Sequence, residues 1–164
     1  MNIVLYEPEI PANTGNIGRT CVVTGSSLHL IEPLGFLINE KMLKRAGLDY
    51  WNKLDVSIYK DYEEFCDIHK TSRMWYLTTK AERSYTEADF HPDDFLMFGK
   101  ETAGIPEEIL VENREKCLRI PMLAEERSLN LSNAVAIVLY EALRQNGFLK
   151  LEEKGKLHRL DWQK

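Results

Sequence analysis

From Ala134 to Leu143 the chain reads Ala-Val-Ala-Ile-Val-Leu-Tyr-Glu-Ala-Leu, a run of good helix formers with almost no polar stripe. A helix of this kind has no face to give to water, so it must be covered on most sides. One sheet in a chain of 164 residues covers only part of it, and the remainder is expected to pack against a second copy, as a homodimer. Glu141, Arg144 and Gln145 give its far end a wet face, and Asn146-Gly147 is a helix stop. Ahead of the helix, the apolar strand Cys117-Leu118-Arg119-Ile120 is halted by Pro121. A polar loop then closes on Ser128-Leu129-Asn130-Leu131-Ser132-Asn133, where strand, loop and helix meet.

The rest of the chain alternates in the same way. Phe95-Leu96-Met97-Phe98, ended by Gly99, is a continuous apolar run, as expected of a strand buried on both faces. Further strands are predicted at 1–6, 28–32, 56–59 and 74–78. Glu7 to Ala12 holds two prolines and reads as an extended loop, so the first helix is predicted to open at Asn13 and close at Thr24-Gly25. A second helix is predicted over 39–46, a third after the cap Asp61, and a fourth from Pro106, with Glu107 and Glu108 at the positive end of its dipole. Residues 79–92 are a polar loop with one helical turn. Strands alternating with helices, without repeats, predict an α/β fold: a parallel sheet flanked by helices on both faces.

A chain of this size is one domain, able to bury roughly 70% of its unfolded surface without a staple. Cys21, Cys66 and Cys117 are far apart in apolar or mixed segments, which suits reduced buried thiols in a cytoplasmic protein. No Cys-x-x-Cys or His-x-x-x-His spacing occurs, so no metal is expected. The first strand starts at once, too short for a signal peptide or a membrane span, and no N-terminal extension or membrane partner is expected. A net charge of −5 and a pI near 5.5 argue against general nucleic-acid affinity. Local basic patches remain: Lys41, Lys44 and Arg45 on the predicted second helix, and a tail over 150–164 with Lys154, Lys156, His158, Arg159 and Lys164 set against Glu152, Glu153 and Asp161. Each is equally readable as a solvated face or a frayed end.

Ligands of open parallel sheets sit beyond the carboxyl ends of the strands, which here means the loops at 8–19, 77–80, 99–106 and 121–133. In the third, two glycines and a proline suit either a backbone approached closely by a ligand or a tight strand-to-helix connection. The familiar nucleotide fingerprints fail. Gly15-Asn16-Ile17-Gly18 lacks the three-glycine dinucleotide spacing, there is no phosphate loop ending Gly-Lys-Ser/Thr, and no Gly-x-Ser-x-Gly elbow marks a serine hydrolase. An oxidoreductase on an ordinary dinucleotide fold is accordingly remote.

Three stretches in order resemble the sequence motifs of SPOUT-superfamily RNA 2′-O-methyltransferases. They are Asn13 to Arg19, the run Leu-Met-Phe-Gly-Lys-Glu-Thr-Ala-Gly-Ile-Pro over 96–106, and Ile120-Pro121 followed by Ser128 to Ala134. Residues 2–11, Ile31-Glu32-Pro33, residues 45–50 and Leu77-Thr78-Thr79-Lys80 extend the likeness over nearly the whole chain, to the small tRNA wobble-nucleotide (C34/U34) 2′-O-methyltransferases. The resemblance implies a SPOUT fold with a C-terminal trefoil knot, a single domain over 1–164 without a separate RNA-binding domain, and S-adenosylmethionine held bent at the knot. It implies methyl transfer to the wobble ribose of tRNA, with leucine isoacceptors and their anticodon stem-loop as partner; an RNA-binding or assembly protein that keeps the pocket without transfer is the alternative.

By residue matching, Leu77, Gly99, Gly104, Ile120, Ser128 and Leu131 line the cofactor pocket, and Arg19, Asn13, Glu101, Ser128 and Asn130 serve catalysis. Arg19 is a poor base with a pKa above about 12, and suits a donor that fixes a phosphate and steadies the developing alkoxide. A bare arginine at a helix start would oppose the dipole. Asn13 holds its loop or contacts RNA. Glu101 positions Arg19 or a third-motif amide, or caps a helix; Ser128 and Asn130 orient the ribose or cap theirs. Arg19 and Lys80 of one subunit, with Lys41, Lys44, Arg45 or the tail of the other, would form the RNA-binding patch.

Overall fold

The structure, a computed structural model, describes residues 1–37, 51–160 and 162. The predicted helix over 39–46, with Lys41, Lys44 and Arg45, lies outside the described residues. Six parallel strands form one sheet: β1 (Asn2–Tyr6), β2 (Ser27–Ile31), β3 (Val56–Tyr59), β4 (Met74–Leu77), β5 (Phe95–Phe98) and β6 (Cys117–Leu118). Their order is β3-β2-β1-β5-β4-β6, so β5 is inserted between β1 and β4, with Asn2 opposite Phe95. Side chains alternate across the pleat. Ile3, Leu5, Leu28, Leu30, Leu96 and Phe98 face one core layer with α1 (Pro11–Thr24) and α4 (Leu131–Gln145). Val4, Ile31, Met97 and Tyr76 face the other, with Phe65 of α2 (Tyr62–Ile68) and Leu110 of α3 (Glu107–Glu112). All four residues of β5 are buried, which is why that segment carries no polar residue.

Local chemistry sets the boundaries. Glu64 N donates to Asp61 Oδ1 at 2.8 Å, capping α2 as expected. Gly25, at φ 65°, closes α1 with its amide bonded back to Cys21 and Val22. The helix itself opens at Pro11, two residues before the predicted Asn13: proline suits a first helical position, where its missing N–H costs nothing. Pro106 caps α3 from outside instead of entering it. The last strand is shorter than its apolar run, because Arg119 pairs with the turn at Arg83, Ser84 and Tyr85 and no longer with β4. That turn leads into a single 3-10 turn, Tyr85–Glu87. Gln145 Nε2 donates to Ala88 O, and Asn146 Nδ2 to Phe90 O, so the segment after β4 is pinned to the C-terminal end of α4 as well.

Val135, Val138, Leu139 and Ala142 of α4 are fully buried, each leucine-sized side chain worth about 1.5–3 kcal/mol against exposure. Ile137 and Tyr140 are 38% and 47% exposed, and Val23 on the neighbouring α1 is 61% exposed. The all-round burial expected of this helix is therefore incomplete within one protomer. Residues 151–160 of the tail have no regular structure and are exposed apart from Leu151.

On the α2 side of the sheet, the Tyr59 hydroxyl lies 2.8 Å from His29 Nδ1 and 2.9 Å from His69 Nε2, in a nest of rings that includes Phe65 and Phe95. Burial, reinforced by His69 and opposed by Asp55, lowers the His29 pKa to about 4. The unfolded chain, with an ordinary imidazole, binds the proton first, so this stability is complete above about pH 6.5 and is lost as pH falls toward 4. Between pH 7 and pH 4.5 the unfolding free energy from urea titration is expected to fall less for His29→Gln than for the native chain, by on the order of 2 kcal/mol. Equal falls would remove His29 from the acid response.

Candidate active site

At the carboxyl ends of β1, β4 and β5, and beyond β6, lies a cavity of about 750 Å³. In its wall, Leu77 closes β4, Phe98 closes β5 with Gly99 directly after it, and Ile120 follows β6. Ser128 and Leu131 arrive with the loop that enters α4, and Gly104 with the loop before α3. All six residues matched to a cofactor pocket thus line one cavity, together with Asn13, Glu101, Asn130 and Lys80. Arg19 does not line it. Arg19 is exposed on α1 in its third turn, so the dipole argument for an anion partner, made for a helix starting at Asn13, does not apply.

The glycines divide the two readings of the third loop. A Cβ on Gly99 would overlap the carbonyl carbon of Gly104 and the amide of Ile105, so Gly99 serves the tight connection. Gly104 has φ 73° and open space around its missing Cβ; the left-handed turn requires it, and Gly104 N donates to Lys100 O at 2.8 Å.

Carboxylates lock the loops together. Ile10 supplies no side-chain cap to α1. Glu101 substitutes for it, accepting from Glu9 N at 2.9 Å, Ile10 N at 3.3 Å and Asn13 Nδ2 at 2.9 Å, with its charge at the positive end of the helix. Glu9 answers by accepting from Thr102 N and Oγ1, each at 3.0 Å. Asn13 Oδ1 accepts from Asn130 Nδ2 at 3.0 Å, and Asn130 Oδ1 caps α4 through Ser132 N and Asn133 N. Asn130 thus caps α4, Glu101 holds the amides at the entry to α1, and Asn13 links the two. Ser128 takes no part in the cap, and its hydroxyl has no protein partner among the described residues.

Three cations stand on the cavity wall. Lys80 Nζ is 2.9 Å from Glu107 Oε1, which holds that carboxyl below the usual range. Lys100 Nζ is 2.7 Å from Glu7 Oε2, and the pairing raises the lysine pKa. The third is Arg127, which motif matching passed over although it directly precedes Ser128; only the path of the loop reveals it. Thr78, Thr79, Phe98 and Ala134 also line the wall; they lie inside the matched stretches, although none of them is singled out there as a site residue. Among the described residues, no cluster of three histidine, cysteine or acidic side chains is gathered as metal ligands, and no helix is long and apolar enough to cross a membrane.

The SpoU rRNA Methylase family matches residues 1–140. A tRNA (cytidine(34)-2′-O)-methyltransferase of Escherichia coli strain K12 is 50% identical over 149 residues, covering 90% of this chain and 95% of its own. A solved structure concerned with 2-OH methylation of C/U34 on tRNA superposes with a TM-score of 0.83 at 45% identity, over 89% of this chain and 95% of that one. The SpoU methyltransferase AviRb from Streptomyces viridochromogenes, solved with the cofactor AdoMet, shares the fold at 22% identity, with a TM-score of 0.77 over 89% of this chain and 57% of its own.

Proposed function

The chain belongs to the SpoU rRNA methylase family, and on that premise we propose that it is a tRNA 2′-O-methyltransferase: it carries a methyl group from S-adenosylmethionine to the ribose 2′-OH of the wobble nucleotide, C34 or U34. Leucine isoacceptors are its expected substrates, and the cytoplasm its expected place. The observation that carries the reading is the convergence of Leu77, Gly99, Gly104, Ile120, Ser128 and Leu131 on one cavity in a chain half identical to a named wobble methyltransferase.

The residues present fit the cofactor. A cavity of about 750 Å³ falls in the range of small-molecule sites. Leu77, Phe98, Ile120, Leu131 and Ala134 offer apolar wall for an adenine, and the loops at 77–79, 98–104 and 127–131 offer backbone groups for ribose and methionine. The bound cofactor would supply an electrophilic methyl group. The chain's own part is alignment: oxygen, methyl carbon and sulfur must lie in line, and a weakly acidic hydroxyl proton must leave. The Glu101–Asn13–Asn130 clasp keeps the cavity's loops in one register for that task. Arg19 serves as the donor that fixes a neighbouring phosphate and steadies charge building on the ribose oxygen, while that phosphate or a water takes the proton.

The remaining features of the reading are a knot and a dimer. The segment from Arg83 to Phe90 grips the chain at Arg119 and again at Gln145 and Asn146, which supports a C-terminal segment threaded as a trefoil knot. The exposed Val23, Ile137 and Tyr140 support a homodimer built on α1 and α4. Arg19, one turn from Val23 on the same face of α1, would then lie near the seam, where RNA meets Arg19 and Lys80 of one subunit and Lys41, Lys44, Arg45 or the tail of the other. Sedimentation velocity is expected to give a dimer, and Ile137→Asp a monomer; a monomeric native protein would exclude the arrangement.

The deciding assay is transfer from labelled S-adenosylmethionine to bulk tRNA lacking wobble 2′-O-methylation, followed by nuclease mapping. Label on the wobble ribose is the expected result. Cofactor binding without label in any tRNA would leave the silent binding protein instead.

A further inference from the structure

The three cations on the cavity wall differ in one respect. Lys80 and Lys100 are neutralised by Glu107 and Glu7. Arg127 has no carboxylate or other hydrogen-bonding partner among the described residues, even though Glu125 and Glu126 directly precede it. Glu101, the one carboxylate on the same wall, is taken up by three donors of the α1 end and cannot serve it. The guanidinium is exposed, yet its loop is not loose: three residues on, Asn130 is bonded both to Asn13 and to the first amides of α4. An unpaired positive charge is thus carried at the rim of the cavity and turned to water, in a chain whose net charge is −5.

We propose that Arg127 is the phosphate anchor for the substrate RNA, gripping the phosphodiester beside the nucleotide whose ribose enters the cavity. The inference rests on the methyltransferase reading above and extends it by a residue. Guanidinium is weakly hydrated and presents paired donors that match two phosphate oxygens, which a lysine cannot do. Its exposure favours a partner arriving from solvent, since a group meant for the cofactor's carboxylate would be covered by the cavity. The role is one of binding and register: it sets which ribose is presented and forms no bond to the reacting atoms.

The test uses the full chain with Arg127→Ala and Arg127→Lys. Binding of a fluorescent anticodon stem-loop is followed over a series of salt concentrations, beside initial transfer rates against tRNA and calorimetry with S-adenosylhomocysteine. Arg127→Ala is expected to raise the tRNA KM about tenfold with kcat within about twofold, the size of one lost charged contact. The slope of log affinity against log salt should shrink by about 0.7–0.9, one phosphate's share. Arg127→Lys should recover the slope but only part of the affinity, and S-adenosylhomocysteine should bind all three proteins equally. A loss confined to S-adenosylhomocysteine would assign Arg127 to the cofactor carboxylate, and unchanged RNA binding would make it a solvated side chain; either overturns the anchor. A native protein that binds the stem-loop yet transfers nothing would sink the parent reading, while the salt slope still decides Arg127.

Discussion

Arg19→Ala is expected to bind S-adenosylhomocysteine like the native protein and to transfer methyl groups about 10²–10³-fold more slowly, the usual loss when one donor to developing charge is removed. The two halves of this result have separate structural reasons. Arg19 does not line the cavity and is exposed on α1, so truncating its side chain leaves the cavity wall in place. Transfer needs more than the pocket, because a ribose hydroxyl must be aligned while its charge grows. Arg19→Lys keeps the charge and loses the paired donors, and should recover only a fraction of the rate. Single-turnover rates at saturating cofactor and RNA separate this from weakened binding. An Arg19→Ala protein within about tenfold of native would take Arg19 out of the chemistry.

Gly99→Ala should be the more damaging change to the molecule itself. The new methyl would meet Gly104 and Ile105 backbone, which cannot rotate away as a side chain would. The strand end and the loop must move apart, at a cost of about 3 kcal/mol or more, and the cavity wall moves with them. Gly104→Ala is the informative control: its space is open, and only the left-handed backbone resists, for about 1–2 kcal/mol. Urea unfolding and S-adenosylhomocysteine calorimetry on both variants are expected to rank Gly99→Ala well below Gly104→Ala in each. The reverse order would mean that loop strain outweighs contact here.

Much of the sheet was legible because its strands are short apolar runs bounded by turn residues: Val56–Tyr59 and Phe95–Phe98 stand where periodicity put them. Boundaries failed where one residue had two meanings. Pro11 reads as a helix breaker and is also a good first helical residue, which moved the start of α1 and with it the setting of Arg19. Motif matching picked out six residues that the structure gathers on one cavity wall, since those positions are fixed by backbone path, and it named Asn13, Glu101 and Asn130 without their partners. Their contacts span 88 and 117 residues of chain, distances over which no local pattern reports. Arg127 was missed for a related reason: being unpaired is a property of space, and two adjacent glutamates in the sequence suggest the opposite.

The insertion of β5 between β1 and β4 also bears on how the chain is made. During synthesis β1 and β2 can pair early, with Asn2 opposite Ser27, but the other edge of β1 waits for Phe95. At about 5–20 residues per second, that edge stays open for roughly 5–20 s, and the α1 face that α4 covers stays bare longer still. Nascent chains of this protein therefore present an unpaired central strand and a bare apolar helix face to the crowded surroundings of the ribosome. Holding chaperones are expected to engage them there, and to let go once α4 has emerged.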